Sequence, residues 1–114
     1  MNMIESFNQT IDYLESQLTG DIDEKKVAQL SGYSYAMFSR IFSIFTGITL
    51  SEYLRYRRMT EAGLELRSSR IKVLDLALKY GYDSPDSFTA AFKSFHVFTP
   101  SEVRKGQPFV PFLN

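Results

Sequence analysis

The chain has 114 residues, 44% of them hydrophobic, with ten Phe, no Trp and no Cys, and its thirteen Lys and Arg balance thirteen Asp and Glu. That length makes one domain or two small ones, and without Cys neither a disulfide frame nor a thiolate metal site can form, which suits a reducing compartment. No apolar run approaches the ~20 residues of a membrane span and no basic-then-apolar signal opens the chain, so the expectation is a soluble cytoplasmic protein with no membrane partner.

Ile4, Phe7, Ile11, Leu14 and Leu18 fall at helical spacing, and Gly20 stops that pattern as a C-cap glycine would. Asp23 can cap a short helix through Leu30, ended by Gly32. Ser34 can cap another through Phe45, with Phe38, Ile41, Phe42 and Phe45 on its buried face and Gly47 closing it. Thr49-Leu50-Ser51-Glu52 is a capping box, in which hydroxyl and carboxylate each take an orphan backbone N–H. The helix it opens should run to about Arg67, roughly 25–27 Å at 1.5 Å per residue. Gly63 in its middle costs about 1 kcal/mol against Ala, which points to a close packing contact there.

Val73 to Tyr80 reads as a short helix stopped by Gly81. Ser84-Pro85 places a cap residue before a first-turn proline, and the helix it starts buries Phe88, Ala91, Phe92 and Phe95. Thr99-Pro100-Ser101-Glu102 is a second capping box, opening a last helix that ends near Gly106. The tail from Gln107 to Asn114, with Phe109, Val110, Phe112 and Leu113, has no helical pattern. It reads as a linker, or as the start of something removed. No strand alternation appears. The fold class is all-α, about seven helices, divided as 1–48, a linking helix 49–67, 68–106 and the tail 107–114.

Much of the chain is written twice. Ala28, Gly32 and Tyr33 recur as Ala77, Gly81 and Tyr82, and Phe38, Phe42, Phe45, Thr49, Ser51 and Glu52 recur fifty residues later as Phe88, Phe92, Phe95, Thr99, Ser101 and Glu102. Each copy is a short helix, a Gly-containing turn and a Ser-capped second helix, which describes the helix-turn-helix that enters the major groove of DNA. Two readers on one rod-like helix can meet successive grooves, about 34 Å apart, without a palindromic dimer. The zero net charge argues against nucleic acid, but its distribution does not. Residues 1–24 hold six acids and no Lys or Arg, and the rest of the chain holds thirteen bases against seven acids, so a basic surface can exist on a neutral molecule.

The stretch from Val73 to Lys93, carrying Ala77, Gly81, Ser84, Pro85, Phe88 and Phe92 and followed by Phe98-Thr99-Pro100-Ser101-Glu102, resembles the signature of the AraC/XylS family of bacterial transcription regulators. The first copy and the connecting Arg58 to Ala62 fit as well, so the resemblance covers roughly residues 5–105. It implies two helix-turn-helix subdomains joined by a long central helix, acting on double-stranded DNA beside promoters. It also implies that many members activate transcription and carry a separate effector-binding domain, and it makes RNA polymerase a further partner. Carried over by position, base edges fall to Ala36, Ser39 and Arg40 on the first reading helix. An Arg there can take guanine O6 and N7 in a bidentate contact worth about 1–3 kcal/mol of discrimination.

On the second reading helix the resemblance points to Asp86, Ser87 and Ala90 for bases. Ala90 departs from the family, which often has Arg or another long polar residue there, and Asp86 repels phosphate unless it accepts from cytosine N4. This copy is therefore expected to dock through backbone contacts from Ser87, Thr89 and Lys93, with sequence specificity concentrated in the first. Arg55 and Arg57 on the linking helix are candidates for further phosphates, although one Arg of that cluster can equally serve an internal ion pair, Arg58 with Asp75 being the expected partners.

The Phe set is core rather than a stacking platform, because its spacing is that of a buried helix face. His96 is the only His, without a second His or Cys to build a metal or nucleophile set, and no Gly-rich phosphate loop exists. No enzyme, metal or cofactor is expected. The competing class is a helical protein-interaction module that keeps this fold and binds DNA only weakly; the zero net charge and the poor second reading helix favour it.

Overall fold

The computed structural model describes residues 2–109. Seven helices and no strand occur among them: α1 (Met3–Ser16), α2 (Glu24–Ser31), α3 (Tyr35–Thr46), α4 (Leu50–Ser68), α5 (Val73–Lys79), α6 (Pro85–His96) and α7 (Pro100–Arg104). The all-α reading is correct helix for helix. The chain divides between Leu54 and Arg55 into two compact units. That division falls within α4, which the sequence boundaries set apart as a segment of its own.

In the first unit the caps act as the sequence implies. Asp23 accepts from the Lys25 N–H, Ser34 accepts from Met37 N–H, and α2 and α3 end on Gly32 and Gly47, both at φ 81. These left-handed residues cost glycine nothing and let the chain turn at once. Thr49 and Glu52 exchange their two capping bonds at 3.0 Å each. The core gathers Leu14, Leu18, Val27, Phe38, Phe42, Leu50, Tyr53 and Leu54. Phe7 lies 5.4 Å from Phe38 and 6.2 Å from Phe42, ring centre to ring centre. Each fully buried Phe contributes about 2–3 kcal/mol. Tyr53 closes the cluster by donating to Glu15 at 2.8 Å.

Two expectations for this unit are corrected. Gly20 is not the C-cap of α1: the helix ends at Ser16 with Gln17 as cap, and Gly20 follows in a turn where its N–H donates to the Gln17 carbonyl at 3.1 Å. Leu18 is buried from that turn rather than from the helix. Phe45 is 66% exposed; it meets Phe7 edge-on at 6.0 Å and forms the rim of an apolar hollow with Met3, Ile4, Phe7 and Ile41. Helical spacing places Phe45 on the right side, but at the last turn of α3 no neighbour among the described residues covers its outer face. Thr10, absent from the apolar pattern, is fully buried and satisfies its hydroxyl on the Ser6 carbonyl at 2.7 Å.

The second unit packs Met59, Ala62 and Leu66 of α4 against Leu76, Ala77, Tyr80, Phe88, Phe92 and Val103. Ser84 accepts from the Ser87 N–H with Pro85 in the first turn, and Thr99 with Glu102 completes the second capping box. The Gly63 contact exists: a Cβ there would lie 2.7 Å from Phe109 Cδ2. Arg67 holds the segment that brings Phe109 in, donating to the carbonyls of Val103 and Gln107 at 2.7 and 2.5 Å. Val110, Phe112 and Leu113 of the expected linker lie outside the described residues.

His96, the last residue of α6, is 1% exposed. Its Nε2–H donates to the Met59 carbonyl at 2.8 Å, and rings of Phe92, Phe95 and Phe109 surround it. Burial pushes its pKa below the ordinary histidine value, and the Met59 carbonyl only partly opposes that. The imidazole is a neutral core residue.

α4 carries no single apolar stripe. In the first unit it buries Leu50, Tyr53 and Leu54, and in the second Arg57, Met59, Thr60, Ala62, Gly63 and Leu66.

Candidate nucleic-acid interface

Each unit presents the second helix of its pair with one face outward. In α3, Phe38 and Phe42 point into the core, and the positions displaced from them by half a turn are Ala36, Met37, Arg40 and Ile44, all exposed. Ala36 and Arg40 stand one turn apart on this ridge, and Ser39 sits half-buried at its edge. Three residues, Gly32 to Ser34, separate α2 from α3. The turn is tied by the Ser31 hydroxyl, which accepts from the Tyr33 N–H at 3.0 Å. The Gly32 turn and the Ser34 cap thus fix the direction in which Arg40 leaves the surface.

In α6, Phe88 and Phe92 face inward while Asp86, Ser87, Ala90 and Lys93 are exposed and Thr89 is half-buried. The Ser87 hydroxyl is already engaged within its own cap, donating to the Ser84 carbonyl at 3.0 Å and accepting from Ser84 Oγ at 3.0 Å. Asp86 lies in the first turn of α6, where its charge is favourable against the helix N-terminus. Ala90 leaves the centre of this ridge without a polar group.

The structure separates the two arginines assigned to phosphates. Arg55 is exposed, its guanidinium 5.7 Å from the Tyr56 ring centre. Arg57 is 8% exposed and lies 4.0 Å from Glu61 one turn on. Buried beside a carboxylate, Arg57 offers a phosphate less surface than Arg55 does. Asp75, the expected partner of Arg58, sits in the first turn of α5. Sequence reading missed Tyr82, in the turn before α6. Burial raises its pKa while the charges of Arg58 and Arg55 pull it down. A groove beside α6 is lined by Arg55, Tyr56, Met59, Ala91, Ser94 and Phe95. The signal was available, since Arg55 and Arg58 are one turn apart and Tyr82 is a repeat position.

Charge divides unequally. Residues 1–54 hold seven acids against three bases, and residues 55–114 hold ten bases against six acids. The second unit therefore carries a net positive charge and the first a net negative one, while the first has the long cationic side chain, Arg40, on its outward ridge.

Two helix-turn-helix units with outward second helices define a protein of the DNA-binding class. Residues 27–106 match the family model described as a helix-turn-helix domain. The chain is 40% identical over 95 residues to the transposon Tn10 TetD protein of Escherichia coli, covering 83% of this chain and 69% of that one. It is 39% identical over 92 residues to the HTH-type transcriptional activator AarP of Providencia stuartii, covering 81% and 68%. A transcriptional regulator of Chromobacterium violaceum with an AraC-type DNA-binding domain has the same fold, at a TM-score of 0.78 and 21% identity over 90% of this chain and 94% of that one. The chain belongs to the AraC/XylS family of transcription regulators.

Proposed function

We propose that this chain binds double-stranded promoter DNA through both units, taking two successive major grooves, with α3 as the base reader and α6 as the docking helix. The observation that carries the reading is the contrast between corresponding ridge positions: Arg40 stands exposed on α3 where α6 has Ala90. Arg40 reaches guanine O6 and N7, with Ala36 and Ser39 beside it at base edges. Lys93, Thr89 and the exposed Arg55 contact phosphates and set the register, carrying no sequence information themselves. Ser87 adds a phosphate contact by turning its hydroxyl hydrogen from the Ser84 carbonyl to a phosphate oxygen, and Asp86 and Ala90 read little. Membership of a family of DNA-binding transcription regulators supports this reading, and regulation follows from occupancy of a promoter site, with RNA polymerase as the partner at an activated promoter.

The excess of acids in residues 1–54 favours a second reading, a protein-interaction module with weak general DNA affinity. Binding of wild type and Arg40→Ala to a pool of genomic fragments, at two salt concentrations with the bound sequences read out, separates the two. An enriched site with one position relaxed by Arg40→Ala supports the double reader. Salt-sensitive binding with no enriched sequence overturns it in favour of the interaction module.

A further inference from the structure

Two large apolar side chains share the outward ridge of α3 with Arg40. Met37 is 44% exposed and Ile44 is 75% exposed. Met37, Arg40 and Ile44 follow one another at three and four residues, so they form one line on the helix surface. A single exposed apolar residue is unremarkable on any protein, but this ridge has a counterpart fifty residues on, where the same positions are Ser87, Ala90 and Ser94. The two copies thus differ in kind. The α6 ridge is built of small and polar residues, and the α3 ridge sets one guanidinium between two apolar groups.

That pattern has a complement in the major groove. Every thymine presents a C5-methyl there, apolar side chains contact it, and guanine presents the acceptors an Arg takes. We propose that Met37 and Ile44 are specificity-determining residues, each packing on a thymine methyl to either side of the guanine held by Arg40. The inference rests on the reading of α3 as the base-reading helix. From Met37 to Ile44 the helix rises about 10.5 Å, which spans about three base pairs at 3.4 Å each. The thymines therefore lie within that distance of one another, on either strand. The unbranched, flexible Met side chain adapts to a methyl whose position shifts with local DNA shape.

The test uses the DNA fragment enriched by the full chain, beside the same fragment with deoxyuridine in place of every thymine. Deoxyuridine keeps the base pairing and lacks only the methyl. Each lost methyl contact is expected to lower affinity about fourfold, so wild type should bind the deoxyuridine fragment more than tenfold less tightly. Met37→Ala and Ile44→Ala should each bind the thymine fragment about fourfold less tightly and respond correspondingly less to deoxyuridine. Met37→Leu should retain most of the wild-type response. Helix content and thermal melting of the variants should match wild type, since both side chains point outward.

Equal affinity of wild type for the two fragments overturns the inference while leaving the base-reading role of α3 intact. So does an unchanged response to deoxyuridine in both Ala variants. Absence of any enriched sequence overturns the reading of α3 and this inference together.

Discussion

Gly47 and Val97 cap the C-termini of α3 and α6 at nearly the same positive φ, 81° and 78°. Their N–H groups donate to the fourth residue back, Ser43 at 2.9 Å and Lys93 at 2.8 Å. The duplicated fold thus keeps a positive-φ cap even where the second copy carries a β-branched residue. Such a residue at positive φ costs about 1–2 kcal/mol, and Val97 is 66% exposed, so it regains little by burial. Val97→Gly should raise stability by roughly 0.5–1 kcal/mol, the relief of strain being partly offset by the greater freedom of glycine in the unfolded chain. Gly47→Val should lower it by about 1–2 kcal/mol. Urea unfolding of both variants checks the pair, and a less stable Val97→Gly would show that the valine contributes more than its exposure implies.

Gly63 and Phe109 make a second prediction in which one substitution changes sign with its background. A Cβ on Gly63 would sit 2.7 Å from the Phe109 ring, so Gly63→Ala has to displace that ring and should destabilise the protein. In Phe109→Ala the obstruction is gone, and the same Gly63→Ala should then stabilise by about 1 kcal/mol through helix propensity alone. A double-mutant cycle on thermal unfolding measures the coupling. No sign change would mean that the tail segment is not seated on α4.

His96 makes stability depend on pH. Its folded pKa is lowered by burial, so the unfolded chain binds a proton that the folded chain refuses. Its contribution is complete above the ordinary histidine value of about 6.5 and is lost as pH falls from there through the folded pKa. Each tenfold displacement of the proton equilibrium is about 1.4 kcal/mol. Melting followed from pH 7.5 to 5.5 should show a decline in wild type that is shallower in His96→Gln. Parallel declines would assign the pH response to other groups.

Elements controlled by neighbouring residues were legible in the sequence. Ser34, Ser84, Thr49 with Glu52 and Thr99 with Glu102 act within four residues of themselves, and each caps the helix it was expected to cap. The fold of the interface followed from these caps and from the phenylalanine spacing. Burial on α4 did not. Its apolar residues follow no single stripe, and Arg57 cannot be told from the exposed Arg55 by spacing alone. Phe45 and His96 show the same limit at helix ends. One is left open and the other enclosed according to what packs from elsewhere in its unit, which no local pattern encodes.

That difference between Arg55 and Arg57 yields a prediction for DNA binding. A side chain on a phosphate releases counterion, so its removal lowers the slope of log affinity against log salt by about one. Arg55→Ala and Lys93→Ala should each do so, with little change in thermal stability because both side chains are exposed. Arg57→Ala should leave the slope unchanged and instead lower stability. It removes the packing of a buried side-chain stem, a cost of about 1–2 kcal/mol, while Glu61, 4.0 Å from the guanidinium, stays open to water and adds little. Binding isotherms over a salt series, with melting curves of the same proteins, check both halves. A reduced salt slope for Arg57→Ala would return that residue to the DNA contact set and require α4 to rearrange on binding.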